Sequence, residues 1–187
     1  MADVLVPLAQ GCEELEAVTI IDLLRRAEIN VTTASLDNGS QVHPVVASRG
    51  VTLIADTTLD EALEKSFDMI VLPGGLPGAD NLDNDCRIHE LLKKMAADNK
   101  YTAAICAAPK ILAHASLLKG KSATSYPGVI DQMQLDSTTL SENDVVIDGY
   151  VITSRGPGTA MDFALTLIET LSGKAKRDEV ASGLLWK

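Results

Sequence analysis

Cys106 lies where an apolar strand, Tyr101 to Ile105, runs into a helix opened by Pro109, within Ala103-Ala104-Ile105-Cys106-Ala107-Ala108-Pro109. Proline suits that first helical turn, where the missing N–H would have had no intrahelical partner. A thiol at this junction sits near the positive end of a helix dipole and near free backbone N–H groups. That setting can lower a cysteine pKa from about 8.5 to roughly 3.5–7.5. The plainer alternative is a small buried hydrophobe, which free cysteines often are. Glu16 is the candidate proton carrier: if its side chain turns toward the same rim, burial raises its pKa and lets it donate a hydrogen bond to the sulfur. Its neighbours Glu13 and Glu14 read as carboxylates that complement a helix N-terminus. Gly74 and Gly75 permit close backbone approach, so an N–H of their loop and that of Ala107 could point together at a developing oxyanion. A tight turn explains the glycine pair equally well.

These residues fall in three loops, Gln10 to Glu16, Pro73 to Gly78 and Cys106 to Pro109, each following an apolar strand. The strands read as Val4 to Ala9, Ile29 to Ser35, Phe67 to Leu72 and Tyr101 to Ile105. Leu15, Val18, Ile21 and Leu24 recur at helical spacing after the first strand, and Ile88, Leu91, Leu92 and Met95 mark the inner face of a later helix. Val42 to Ala47 and Val51 to Ala55 predict a hairpin-like excursion. A second hairpin is predicted around Asp148-Gly149. A long helix with Ala160, Phe163, Ala164, Leu167 and Leu171 inward should end at Gly173, and a last helix is expected between Lys174 and Leu185. Strands alternating with helices predict an α/β fold, a mostly parallel sheet covered on both faces that receives ligands at the carboxyl ends of its strands. There the three loops would converge.

The 187 residues fit one domain, 1–187, with 46% hydrophobic and 22% charged residues. A formal charge of −10, without any Lys/Arg run longer than a pair, argues against a nucleic-acid backbone as partner. The absence of a basic leader or a long apolar run predicts a cytoplasmic protein without a membrane span. Cys12, Cys86 and Cys106 are odd in number and lack metal-ligand spacing, so neither disulfides nor a metal site is expected. His43, His89 and His114 read as surface or packed residues. No glycine-rich nucleotide loop is present, and no cofactor is expected.

The order of five separated motifs resembles the ThiJ/PfpI superfamily, in particular its DJ-1 branch with the bacterial YajL-type proteins. The motifs are Glu13-Glu14-Leu15-Glu16, Ser48-Arg49-Gly50-Val51, Val71-Leu72-Pro73-Gly74-Gly75, Ala103 to Pro109, and Thr153-Ser154-Arg155-Gly156-Pro157-Gly158-Thr159. The resemblance implies a flavodoxin-like three-layer α/β/α sandwich and a homodimer. It implies an oxidation-prone Cys106 on a nucleophile elbow, hydrogen-bonded by a protonated Glu16, with the Gly75 and Ala107 amides bounding a small pocket and Arg49 and Pro157 near the dimer interface. It further implies a cysteine-dependent stress-response enzyme of the glyoxalase or deglycase kind, acting on methylglyoxal, glyoxal and their early adducts. The alternative is a redox sensor or redox-regulated chaperone with unfolded client proteins. Ala107 stands where the protease-like members carry histidine, which argues against a Cys-His peptidase. Tyr126 stands where some DJ-1 members carry histidine, and Cys12 replaces a usual small residue. Cys12 reads as packing or as a thiol that resolves an oxidised Cys106.

Overall fold

Short apolar runs separated by amphipathic stretches build a layered structure when each strand buries both faces, and that is how the chain is arranged in the computed structural model, which describes residues 1–186. In chain order the elements are β1 Asp3–Leu8, α1 Glu14–Arg26, β2 Asn30–Ser35, β3 Val45–Val46, β4 Thr52–Leu53, β5 Thr57–Thr58, α2 Leu59–Ala62, β6 Met69–Leu72 and α3 Leu76–Asp83. They continue with α4 Cys86–Ala97, β7 Tyr101–Ile105, α5 Pro109–His114, β8 Ser122–Ala123, β9 Thr139–Leu140, β10 Val145–Asp148, β11 Val151–Ser154, α6 Ala160–Ser172 and α7 Lys174–Gly183. The main sheet runs β10-β11-β7-β6-β1-β2-β5. Its pairings are parallel except that of β10 with β11.

Alternation along the central strands feeds two cores. Val4, Val6, Met69, Val71, Ala103 and Ile105 face the side covered by α1 and α6. Leu5, Ile70, Leu72 and Ala104 face the side covered by α3, α4 and α5. Each large aliphatic side chain fully buried in this way stabilises the fold by roughly 1.5–3 kcal/mol. The α4 face is the predicted one, Ile88, Leu91, Leu92 and Met95. The first hairpin forms as β3 and β4, and the second as β10 and β11. Asp148 pairs with Val151, so the second turn is made by Gly149 and Tyr150, one residue later than predicted.

The α1 face differs from the expected stripe. Ala17, Ile20, Leu23 and Leu24 point inward together with Glu16, whereas Leu15 and Val18 stand 51% and 47% exposed. Apolar residues lie on both sides of this helix, and the buried stripe is the one that carries Glu16 to the rim. A further departure is α3, which begins inside the stretch expected to be loop. Pro77 sits in its first turn, where its missing N–H is no loss.

Candidate active site

Three strand ends, those of β1, β6 and β7, deliver their loops to one rim. Glu13 N donates to Gly74 O at 3.0 Å and Gly78 N to Gly11 O at 3.0 Å, which ties the first loop to the second. Glycines make the tie possible. A Cβ on Gly78 would lie 2.5 Å from Cys12 Cα, and one on Gly75, whose φ is +82°, would lie 2.5 Å from Glu13 N.

The third loop holds Cys106 at φ +63°, in the left-handed region that non-glycine residues rarely occupy. Such a conformation costs about 1–3 kcal/mol and persists only when its surroundings over-determine it. Here they do: Cys106 N donates to Ser154 O at 3.0 Å, and Tyr126 N donates to Cys106 O at 2.9 Å. The sharp strand-to-helix turn leaves the thiol half-buried and pointing at the rim.

Glu16 reaches the thiol from α1. It is fully buried; its Oε2 accepts from Gly74 N at 2.8 Å, and its Oε1 has no hydrogen-bond partner of ordinary geometry. Burial pushes its pKa up to about 7, as expected for a carboxyl turned to the rim, while the Gly74 amide and the Cys106 thiol oppose the rise. Cys106 departs from expectation. Its thiol is pushed up to about 12 by burial and by the charge of Glu16, with the amides of Gly75 and Ala107 opposing the rise. A helix of six residues with its start three residues away does not offset burial beside a carboxylate.

The two groups titrate as one unit. Glu16 is pushed up to about 7 and the Cys106 thiol up to about 12, so between those values the pair carries one negative charge. Amides of Gly75 and Ala107 face the sulfur and that of Gly74 the carboxylate, so both groups have donors for that charge. Gly74 must stay small for this contact, because a Cβ there would lie 2.6 Å from Cys106 Cβ and 2.7 Å from Glu16 Oε2.

Cys106, Glu16, Gly74, Gly75 and Ala107 therefore meet at one point. Arg49 is exposed, and its backbone N–H is held by Glu14 Oε1 at 2.9 Å; Pro157 opens a short 3₁₀ turn, Pro157–Thr159, after Gly156. Glu13 and Glu14 do more than face a helix start, since Ser48 Oγ donates to both, at 2.9 and 3.1 Å. Burial alone would raise Glu14, yet backbone N–H groups, including its own and those of Val51 and Arg49, together with the Ser48 hydroxyl hold its carboxyl below the usual range. Cys12 is fully buried, and burial with the charge of Glu14 pushes its thiol up to about 11, which suits packing. His43 pairs with Asp37, while His89 and His114 both face Asp83, away from the thiol. Two residues at the site were not singled out as pocket residues: Tyr126 was noted only as a substitution, and Gly156 only within a motif. A Cβ on Gly156 would lie 3.1 Å from Tyr126 Cδ2 and 4.0 Å from Cys106 Sγ, so ring and thiol flank the same glycine.

A flavodoxin-like α/β sandwich with a buried acid–thiol pair at a strand-to-helix elbow defines a class of cysteine proteins. The chain belongs to the DJ-1/PfpI family, whose model matches residues 2–170. It is 47% identical over 183 residues to protein DJ-1 homolog A of Arabidopsis thaliana, covering 97% of this chain and 46% of that protein, so the chain spans about half the length of that relative. It is 36% identical to the Caenorhabditis elegans protein named glutathione-independent glyoxalase DJR-1.2, covering 94% of this chain and 91% of that one. Among solved structures, Drosophila melanogaster DJ-1beta superposes with a TM-score of 0.92 at 44% identity, covering 100% of this chain and 98% of that one. Oxidized Toxoplasma gondii DJ-1 superposes with a TM-score of 0.92 at 39% identity, covering 100% and 99%. Among the described residues no helix is long and apolar enough to cross a membrane.

Proposed function

We propose that the protein is a cysteine-dependent enzyme acting on reactive carbonyls such as methylglyoxal and glyoxal, free or as early adducts. The observation that carries this reading is the buried Glu16 carboxyl, with one oxygen unpartnered, beside a thiol on a strained elbow. The glyoxalase name of the C. elegans relative supports it. Sγ of Cys106 bonds to the aldehyde carbon as its S–H proton passes to the Glu16 carboxylate and from there to the carbonyl oxygen, giving a hemithioacetal and an ionised Glu16. The amides of Gly75 and Ala107, which face the sulfur, are placed to steady negative charge there. Glu16 then carries the proton on the former aldehyde carbon to the neighbouring carbonyl carbon while the hemithioacetal hydroxyl proton passes to that carbon's oxygen, which makes a thioester of a 2-hydroxy acid. Water cleaves the thioester, releasing the acid and returning the thiol. The aldehyde carbon is oxidised and its neighbour reduced, so the electrons balance within the substrate.

A time course of methylglyoxal consumption tests this. Cys106→Ser should lose turnover, and Glu16→Gln should lose about a hundredfold or more. Full activity in Cys106→Ser would overturn the reading. The second reading is a redox sensor or redox-regulated chaperone, supported by the oxidized form of the Toxoplasma relative and by the two amides, which suit a sulfinate as well as a thiolate. No turnover by freshly reduced protein would favour it. We also propose a cytoplasmic homodimer formed over the exposed Leu15 and Val18 of α1. Light scattering should give twice the mass of the chain, and a monomer at micromolar concentration would contradict it.

A further inference from the structure

The segment that leaves β11, Ser154 to Gly156, makes two of the contacts that shape the thiol site. Ser154 O accepts Cys106 N, which holds the strained elbow, and a Cβ on the buried Gly156 would lie 4.0 Å from Cys106 Sγ. A row of hydroxyls fixes this segment. Ser154 is fully buried, and its Oγ donates to Asp144 O at 2.7 Å. Ser154 Oγ and Thr159 Oγ1 lie 2.7 Å apart; with the Ser154 proton given to Asp144, Thr159 is the donor of that pair. Thr159 Oγ1 in turn accepts from Gly156 N at 3.1 Å. The Gly156 carbonyl also lies 3.0 Å from Thr159 Oγ1, but it already accepts from Thr159 N at 2.9 Å and does not need the hydroxyl proton. The order is then Gly156 N–H to Thr159 O–H to Ser154 O–H to Asp144 O. All three bonds point the same way, an arrangement in which each polarises and strengthens the next. Asp144, at the far end, directly precedes β10, and its carbonyl also accepts from Arg155 N at 3.2 Å.

We propose that Thr159 is a positioning residue for Cys106: its hydroxyl, the middle of this chain, holds Gly156 against the thiol and keeps water from the sulfur on that side. It acts through Gly156 and Ser154. The hydroxyl is the working part, because the threonine methyl takes no place in the chain. The kinetic consequence rests on the proposed carbonyl chemistry, whereas the effect on the thiol itself does not.

The test compares Thr159→Val, which keeps the shape and removes both hydrogen bonds, with Thr159→Ser, which keeps the hydroxyl. Alkylation of Cys106 by iodoacetamide is followed against pH with the exposed Cys86 as reference thiol, together with kcat and KM for methylglyoxal. Burial is what raises both members of the acid–thiol pair, so water admitted past Gly156 in Thr159→Val should move the half-rise of Cys106 alkylation to lower pH by about half a unit or more. In the same variant kcat should fall by about tenfold with KM changed by less than about twofold, and Thr159→Ser should return both readouts to near the wild type. Ser154→Ala cuts the chain at its next link and should give the same shift, and adding it to Thr159→Val should give no further one. It also carries the test if Thr159→Val does not fold. An unchanged alkylation profile in Thr159→Val, with or without a loss of stability, or equal impairment in Thr159→Val and Thr159→Ser, would overturn the proposal. A protein without turnover would overturn the carbonyl chemistry and still test Thr159 through the thiol.

Discussion

The two ends of the same sheet treat their carboxylates in opposite ways. At the amino ends of the strands, Asp68 Oδ1 takes Lys100 Nζ at 2.8 Å and its Oδ2 takes Asp3 N at 3.0 Å. The Lys100 hydrogen bond, with the Asp3 amide, holds its carboxyl below the usual range. At the carboxyl ends, Glu16 is fully buried, keeps one oxygen unpartnered and is pushed up to about 7. Cys106 beside it occupies a strained backbone conformation. One end is satisfied, and the other holds unmet hydrogen-bonding capacity and strain where a substrate would arrive. Groups kept in this condition are poised to change protonation state, which the paired end is not.

The largest contrast should come from steric disturbance of the carboxyl end. Gly74→Ala forces a Cβ against Cys106 Cβ, Glu16 Oε2 and, at 2.9 Å, Ile105 O. Two of these belong to the proposed catalytic pair, so methylglyoxal turnover should fall by about a hundredfold or more. Stability should drop by about 1–3 kcal/mol. Gly158→Ala, where a Cβ would meet nothing within 4 Å, is the control on the same rim. Equal behaviour of the two variants would erase the claimed tightness of the site.

Glu16→Gln should have the next largest effect, on the pH dependence of stability. Below about pH 4.5 the side chain is protonated in both states. Between there and pH 7 the unfolded chain releases a proton that the folded one keeps, so stability falls as pH rises through the window. The loss is complete above pH 7 and amounts to about 3 kcal/mol. Urea unfolding at pH 4 and pH 8 should show wild type losing more than the glutamine variant by about that amount. Parallel losses would mean that Glu16 ionises normally. Asp68→Asn, at the paired end, should leave the unfolding midpoint nearly unchanged, because its pair with Lys100 is well exposed. A large drop would remove the contrast from that side.

Much of this arrangement is legible in the chain. The four central strands, the α4 face and the rim of three loops follow from apolar runs and their punctuation, because buried parallel strands and a clean amphipathic helix leave strong periodic signals. The inward face of α1 is not fixed by spacing, because apolar residues occur on both of its sides and only the packing of Ala17 and Ile20 against the sheet decides between them. Pro77 and Gly78 read as loop, yet they form the start of α3, where Gly78 is required by contact with Cys12. β8 and β9, at two residues each, are too short to leave a pattern. Cys106 and Glu16 were identifiable as residues, but the direction of the thiol shift was not. It depends on how deeply the sulfur is buried and how close the carboxyl lies, which spacing along the chain does not report.

The central claim is that Cys106 and Glu16 share one proton, and the rate of iodoacetamide alkylation at Cys106 against pH, read by peptide mass mapping, tests it most directly. Cys86, which is exposed, serves as an internal reference thiol in the same digest. The account predicts a half-rise near pH 7 for Cys106, set by loss of the first proton of the pair, and displacement of that half-rise in Glu16→Gln. A Cys106 rate that stays low through pH 9, with the same profile in Glu16→Gln, would place the neutral-pH charge wholly on the carboxylate and contradict the shared proton.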